Sequence, residues 1–289
     1  MDVANILFCT GDPVLDLYAF GSFKNSKFQT TKVVRNHGGA LNVWKNAEAI
    51  LGKNRVIFVN PVKAHLPILL KDTVNFYTVT RYILEDDERL VLEASTTPTH
   101  NKAKFYSNRL KNVANELSNK VNSIINPGTI GLIVSDYNKG AFNSHSKHRK
   151  GYMPDFDFCV VDSRYRSLDI ELIQTCKVKI WHATNKEYDP EYAKNFHYIL
   201  HTNASSPVRI LTGEGEILFE NHPSLTVPNT TIVNTCGAGD TFTAAVASYL
   251  IDKPKVNKQY LLEACEFAIR CCQEVIQTRC TTQTTIKLE

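Results

Sequence analysis

An α/β domain built on a mostly parallel sheet is the fold class the sequence predicts, and three observations predict it. From residue 130 onward, apolar runs of strand length alternate with loops and helical stretches. Ile130 to Ser135, Phe158 to Asp162 and Val178 to Trp181 read as buried strands, with helices expected near Ser144, Leu168 and Pro190. Such alternation builds parallel βαβ units with right-handed crossovers. Second, Asn234-Thr-Cys-Gly-Ala-Gly-Asp-Thr-Phe-Thr-Ala-Ala-Val-Ala-Ser-Tyr-Leu250 passes without a break from a glycine-containing turn into small and apolar helix formers. Third, 289 residues with 43% hydrophobic and 21% charged side chains can bury a sizeable core. No repeat, low-complexity tract or linker divides them, so a single domain over 1–289 is the economical organisation.

Taken in order, Asn5 to Thr10 reads as a buried strand closed by the turn signal Gly11-Asp12-Pro13. Leu17 to Gly21 and Lys32 to Asn36 read as short strands. His37-Gly38-Gly39 breaks the chain before Ala40 to Leu51, which has helical spacing and stops at Gly52. Arg55 to Asn60 is another strand. Phe76 to Leu84 and Arg89 to Ala94 are β-rich runs about Glu85-Asp-Asp-Glu88, a hairpin signal. The segments at about 17–36 and 76–94 are expected to form a small appended sheet. Lys102 to Ile125 is the longest helical pattern and ends at Asn126-Pro-Gly128. Tyr198 to His201, Val208 to Leu211 and Ile217 to Glu220 follow as strands, with Gly213-Glu-Gly215 as a turn, and Gln259 to Thr278 is amphipathic with helical period.

Composition bounds the function. A net charge of +4 suits an anionic small substrate and gives no argument for nucleic acid. Eight cysteines include no Cys-x-x-Cys pair and no zinc-ligand spacing, so reduced thiols are expected. Met1 to Phe8 lacks the basic start of a secretory signal, and the apolar stretch Ala244 to Ile251 is too short for a bilayer. A soluble, cytoplasmic protein without a membrane partner is the expectation.

The chemistry concentrates in the Asn234–Leu250 stretch. Gly237, Ala238 and Gly239 suit a tight turn at a helix start, where free backbone N–H groups and the positive end of the helix dipole bind anions, phosphate among them. Asp240 follows at once and is expected to stay ionised. A base beside a phosphate cradle is a phosphoryl-transfer arrangement. Cys236, at the same helix start, is read as a bystander rather than a nucleophile, although that position can lower a thiol pKa. Near the other end, Gly38-Gly-Ala-Leu-Asn42 is a second flexible turn feeding a helix, with Asn42 able to hydrogen-bond a polyol. Asp12 and Asp16 follow the first strand, at the carboxyl edge where ligands of parallel sheets bind. For Asp12 an exposed turn aspartate is the credible alternative; for Asp16 it is less so.

From Asn234 through Ala247 the sequence resembles, position by position, the C-terminal signature of the ribokinase-like (PfkB) carbohydrate kinases. Gly38, Gly39 and Asn42 resemble that family's second fingerprint, with Trp44 standing where the family has a small residue. The resemblance implies a three-layer αβα sandwich with a mostly parallel central sheet and a small β lid. It implies a sugar kinase using ATP and Mg²⁺, with Asp240 as general base and Gly237, Ala238 and Gly239 as the anion hole. Asp16, Gly38, Gly39 and Asn42 would hold the sugar. Val134-Ser-Asp-Tyr-Asn-Lys-Gly140 resembles the branch that phosphorylates heptose 7-phosphate on the route to ADP-heptose, which brings in Asp136 and Lys139 as substrate contacts, with a helix cap for Asp136 and a solvated lysine for Lys139 as the alternatives. Arg81, with Lys32, Arg35 and Arg89 of the lid, is a candidate for a sugar-borne phosphate. That branch's nucleotidylyltransferase motif His-x-Gly-His is absent here, so a separate partner would supply the step. A homodimer through the lid is a further implication.

On the nucleotide side the resemblance assigns Asn185 and Thr202 and gives Glu187 to Mg²⁺; Asp162 and Arg164, which end the next strand at the same edge, and Thr235 are further candidates, Arg164 suiting bidentate phosphate contact. Two of its loops are altered. Asn-x-x-Glu appears as Thr184-Asn-Lys-Glu-Tyr188 with the glutamate one position early, and Thr-x-Gly-x-x-Gly as Thr202-Asn-Ala-Ser-Ser-Pro207 without glycines. A non-catalytic sugar- or nucleotide-binding relative is therefore the alternative expectation. A nicotinamide dehydrogenase would need Gly-x-Gly-x-x-Gly after the first strand, and a P-loop kinase Gly-x-x-x-x-Gly-Lys-[Ser/Thr]; neither occurs.

Overall fold

In the first strand, β1 (Ala4–Gly11), side chains alternate between two cores: Ile6 and Phe8 enter one, Leu7 and Cys9 the other, all buried. That double burial is what a central strand of a parallel sheet requires. The computed structural model describes residues 4–61, 77–85, 90–96, 109–124, 127–138, 154–164, 168, 170–204, 206–220 and 232–288. Around β1 lie β4 (Val56–Val59), β7 (Pro127–Asp136), β8 (Phe158–Ser163), β9 (Val178–Thr184), β10 (Tyr198–Asn203), β11 (Ser206–Thr212) and β12 (Ile217–Glu220). Their order in the sheet is β12-β11-β10-β9-β8-β7-β1-β4. The six strands from β10 to β4 are parallel, and β11 and β12 are added antiparallel.

Helices cover both faces. On one side, α1 (Ala40–Leu51), α4 (Ala238–Leu250) and α5 (Lys258–Val275) pack on Leu7, Cys9, Ile133, Val160, Ile180 and Leu200. On the other, α2 (Arg109–Asn122), a 3₁₀ turn at Ile170–Ile173 and the single-turn α3 (Pro190–Ala193) pack on Phe8, Leu132, Val134, Val161, Trp181 and Ile199. Trp44, the departure from the Gly38–Asn42 fingerprint, stacks on Phe58 of β4 with ring centroids 5.3 Å apart. Among the described residues no helix is long and apolar enough to cross a membrane.

A second sheet, in the order β3-β2-β5-β6, is formed by β2 (Pro13–Lys24), β3 (Lys27–Gly39), β5 (Tyr77–Leu84) and β6 (Leu90–Thr96). β2 and β3 far exceed the short strands expected at 17–21 and 32–36, and His37-Gly38-Gly39 completes β3 instead of breaking it. The excess was invisible because most of β3 is exposed or half-buried and offers little apolar alternation. The helices expected near Leu168 and Pro190 shrink to one turn each. Lys139, Arg89 and the helix near Ser144 lie outside the described residues.

Candidate active site

The carboxyl ends of β1, β7, β8 and β9 meet the N-terminus of α4, and Asp12 ties the meeting point together. Its N–H donates to the Ser135 carbonyl (2.9 Å), its own carbonyl accepts from Ala40 N–H (3.0 Å), and its carboxylate accepts from Tyr137 N–H (2.9 Å). Asp12 is buried, so the exposed-turn alternative for it is overturned. By fixing the start of α1 and the residue after β7, it places Asn42 and Tyr137 against one target.

That target is Asp240. Gly237 caps α4 with φ +84°, a left-handed conformation that glycine adopts without strain, and Asp240 sits in the first helical turn, 3% exposed. Asn42 Nδ2 donates to its Oδ2 at 2.9 Å, and the Tyr137 hydroxyl donates to its Oδ1. Arg164, just past β8, donates from Nη2 to the Tyr137 hydroxyl at 3.1 Å and lies over the Tyr137 ring at 4.2 Å. Burial raises the Asp240 pKa above the usual carboxylate value, against the lowering effects of Arg164 and the bonds from Tyr137 and Asn42. Desolvation thus outweighs the neighbouring positive charge and the hydrogen bonds that favour the ionised form. Ala238 N–H reaches back to the Thr235 carbonyl at 3.3 Å, so the free first-turn donors are those of Gly239 and Asp240.

Asp162, at the end of β8, is buried, and burial pushes its pKa up to about 7 against the attraction of Arg164, with Asp240, Glu187 and Asp136 adding to the rise. Asp136 accepts from the Ser163 hydroxyl (2.8 Å) and from Asn138 N–H (3.0 Å). Glu187 accepts from Thr184 N–H at 3.0 Å and lies 4.0 Å from Arg164 Nε. Asn185 N–H donates to the Thr202 carbonyl (3.0 Å), and Thr235 is exposed ahead of the anion loop. Among the described residues no three His, Cys, Asp or Glu side chains converge as a metal site.

On the lid side, Asp16 of β2 pairs with Arg81 of β5 (Oδ1 to Nη1, 2.8 Å), and Arg81 also pairs with Glu93 (3.1 Å). Gly38 lies directly on the Asp16 carboxylate, where a Cβ would come within 2.8 Å of it. Gly39, at φ +54°, closes β3 against Asp12 and Val14. Cys236 has its thiol pKa raised by burial, which leaves it unactivated.

Three groups escaped the sequence reading. Tyr137 lies within Val134–Gly140, where no sequence pattern gives it a role. His182 of β9 is wedged between Thr243 Oγ1 (2.9 Å) and Thr202 Oγ1 (3.1 Å), beneath Gly239. A histidine at the polar end of an apolar strand was its only signal. Thr281, beyond α5, contacts Asp16, and no local pattern announces it.

The arrangement matches known proteins in fold. A ribokinase from Thermotoga maritima superposes with TM-score 0.62 at 13% identity, covering 97% of this chain and 96% of its own. The chain has the ribokinase fold. Phosphofructokinase-2 from Escherichia coli, in a complex with potassium, gives TM-score 0.63 at 13% identity over 98% and 96%. Arabidopsis thaliana ribokinase complexed with ribose and ATP gives 0.56 at 14% over 98% and 97%. The family model "pfkB family carbohydrate kinase" matches residues 186–287, the part of the ribokinase fold that carries the anion loop and Asp240. No curated protein matches the sequence.

Proposed function

We propose that the protein is a phosphotransferase that moves the terminal phosphoryl group of ATP to a hydroxyl of a sugar or sugar phosphate, with Asp240 as general base. The observation that carries this reading is the Asp240 carboxylate, buried one step inside a helix N-terminus and held by Asn42 and Tyr137. Asp240 accepts the acceptor's proton; its pKa, raised by burial, makes it a stronger base than an exposed carboxylate. N–H groups at the start of α4 stabilise charge on the transferring group, one such donor being worth about 3 kcal/mol. Arg164 orients Tyr137 and adds positive charge beside Asp240 and Asp162.

The helix terminus fits a phosphate chain, and Glu187 is the carboxylate nearest the altered loop for Mg²⁺. Magnesium usually takes one or two carboxylates plus substrate phosphates and water, so a preformed cage is not required. Bound Mg²⁺ would neutralise phosphate charge. Asn185, Thr202, Thr235, Asp162 and Arg164 are the nucleotide-side candidates. The heptose 7-phosphate assignment rests on Asp136-Tyr-Asn-Lys-Gly140 alone, with Asp136, Lys139 and Arg81 as its substrate contacts. A homodimer is supported by exposed Phe23, Val33 and Leu92 on the lid; a monomer mass in sedimentation equilibrium would remove it.

A second reading, a sugar- or nucleotide-binding protein without turnover, is favoured by the Thr202 hydroxyl being engaged by His182. ADP release across a panel of sugars and sugar phosphates decides between them. Asp240→Asn is expected to lose nearly all turnover, and flat responses from the unaltered protein would support the second reading.

A further inference from the structure

An alcohol is already seated on Asp16, and it belongs to the chain itself. Thr281 lies in the stretch after α5, is 3% exposed, and donates its hydroxyl hydrogen to Asp16 Oδ2 at 3.2 Å. The Tyr18 hydroxyl pairs with the same Thr281 oxygen and accepts from Thr281 N–H at 3.1 Å. Asn36 Nδ2 donates to the Thr281 carbonyl at 2.6 Å. Three residues on, Thr284 N–H donates to Asn46 Oδ1 at 3.0 Å, so the segment is pinned to β2 and β3 of the lid and to α1. With Arg81 on the other oxygen and Gly38 against its side, the Asp16 carboxylate is enclosed.

The Thr281 methyl group extends the blockade toward the anion loop. A Cβ placed on Gly237 would meet Thr281 Cγ2 at 2.7 Å and Asn42 Nδ2 at 2.8 Å, and Asn42 Nδ2 is itself on Asp240. Asp16, Thr281, Asn42 and Asp240 therefore form one contiguous line across the cleft.

We propose that Thr281 is a specificity-determining residue: its side chain occupies the hydroxyl position on Asp16, so that polyols requiring a carboxylate across the cleft from Asp240 are excluded. The inference rests on reading that cleft as the acceptor site. The acceptor that remains is an alcohol presenting its reacting hydroxyl to Asp240 without a second hydroxyl on Asp16. A hydrogen bond to a buried carboxylate is among the stronger neutral-to-charged contacts, so freeing it has a measurable effect on binding.

The test is calorimetric binding of D-ribose and D-fructose to the full chain and to Thr281→Gly, Thr281→Ala, Thr281→Ser and Thr281→Gly/Asp16→Asn, each first checked for a native melting transition. Binding is expected to be undetectable at about 10 mM sugar for the unaltered chain and Thr281→Ser, and to tighten at least tenfold (about 1.4 kcal/mol) in Thr281→Gly. It should be intermediate in Thr281→Ala, and lost again when Asp16→Asn is added. Asp16-dependent binding by the unaltered chain would overturn the proposal. So would folded Thr281→Gly and Thr281→Ala that gain nothing. Should no variant turn over ATP while Thr281→Gly gains sugar, the phosphotransferase reading fails and this one stands.

Discussion

Protonating His182 should weaken the fold, and replacing it with glutamine should remove that weakness. The ring is buried between Thr243 and Thr202 and tilted against Phe242, with ring centroids 4.8 Å apart. Burial, with Arg164 and His201 adding repulsion, holds its pKa down to about 3, against 6.5 ordinarily. Between those values the unfolded chain binds a proton that the folded protein refuses. The contribution to stability is therefore complete above the ordinary value and is lost as pH falls toward the folded one. From about pH 7.5 to about pH 5 the loss works out at about 2 kcal/mol, at about 1.4 kcal/mol per pH unit once the unfolded histidine is charged. Asp162 acts in the opposite sense. Its folded pKa of about 7 lies above the ordinary 3.8, so its contribution is full at low pH and lost as pH rises through the folded value. The wild-type pH curve alone mixes the two, and the informative quantity is the difference from His182→Gln. Glutamine stays neutral and can both donate and accept toward the two threonines. Urea unfolding at both pH values should show the wild type losing about 2 kcal/mol more than the variant. Parallel curves would refute the buried neutral histidine.

Two further outcomes test the groups around Asp240. Tyr137→Phe removes a bond that lowers the Asp240 pKa, so the acid limb of the kcat/KM profile should move to higher pH; an unmoved limb would separate Tyr137 from the working base. Gly237→Ala forces a side chain into a left-handed conformation, costing about 1–2 kcal/mol, and drives a Cβ against Thr281 and Asn42. A stability loss of about 2 kcal/mol by urea titration, with turnover reduced at least tenfold, is expected, and a neutral substitution would show the anion loop to be pliable.

How far the sequence reveals this molecule depends on the range over which each feature is encoded. The glycine turn and α4 were legible because that turn, a carboxylate and a run of helix formers are contiguous from Asn234 to Leu250. Strand ends were legible too, and they carry Asp136 and Asp162 to the same sheet edge as Asp240. What stayed hidden was pairing at long range. Thr281 meets Tyr18 and Asp16 across more than two hundred residues, and His182 finds Thr243 only once β9 and α4 are packed. The polar ends of those contacts read as surface in isolation. Asp12 shows the same effect in a single residue: its neighbours Gly11 and Pro13 announce a turn, while its burial comes from Ser135, Tyr137 and Ala40.

The join between the two sheets has a mechanical consequence. β1 ends at Gly11 and β2 begins at Pro13, while β3 ends at Gly39 and α1 begins at Ala40, and Pro13 stands opposite Gly39 in the ladder. The β1–β2 and β3–α1 connections thus lie together at one point, clamped by the Ala40–Asp12 bond. A lid turning about that point is a lever with its fulcrum beside Asn42. Asp16, Tyr18 and Phe20 lie progressively farther from that point along β2, and Asp16 and Tyr18 are the two that hold Thr281.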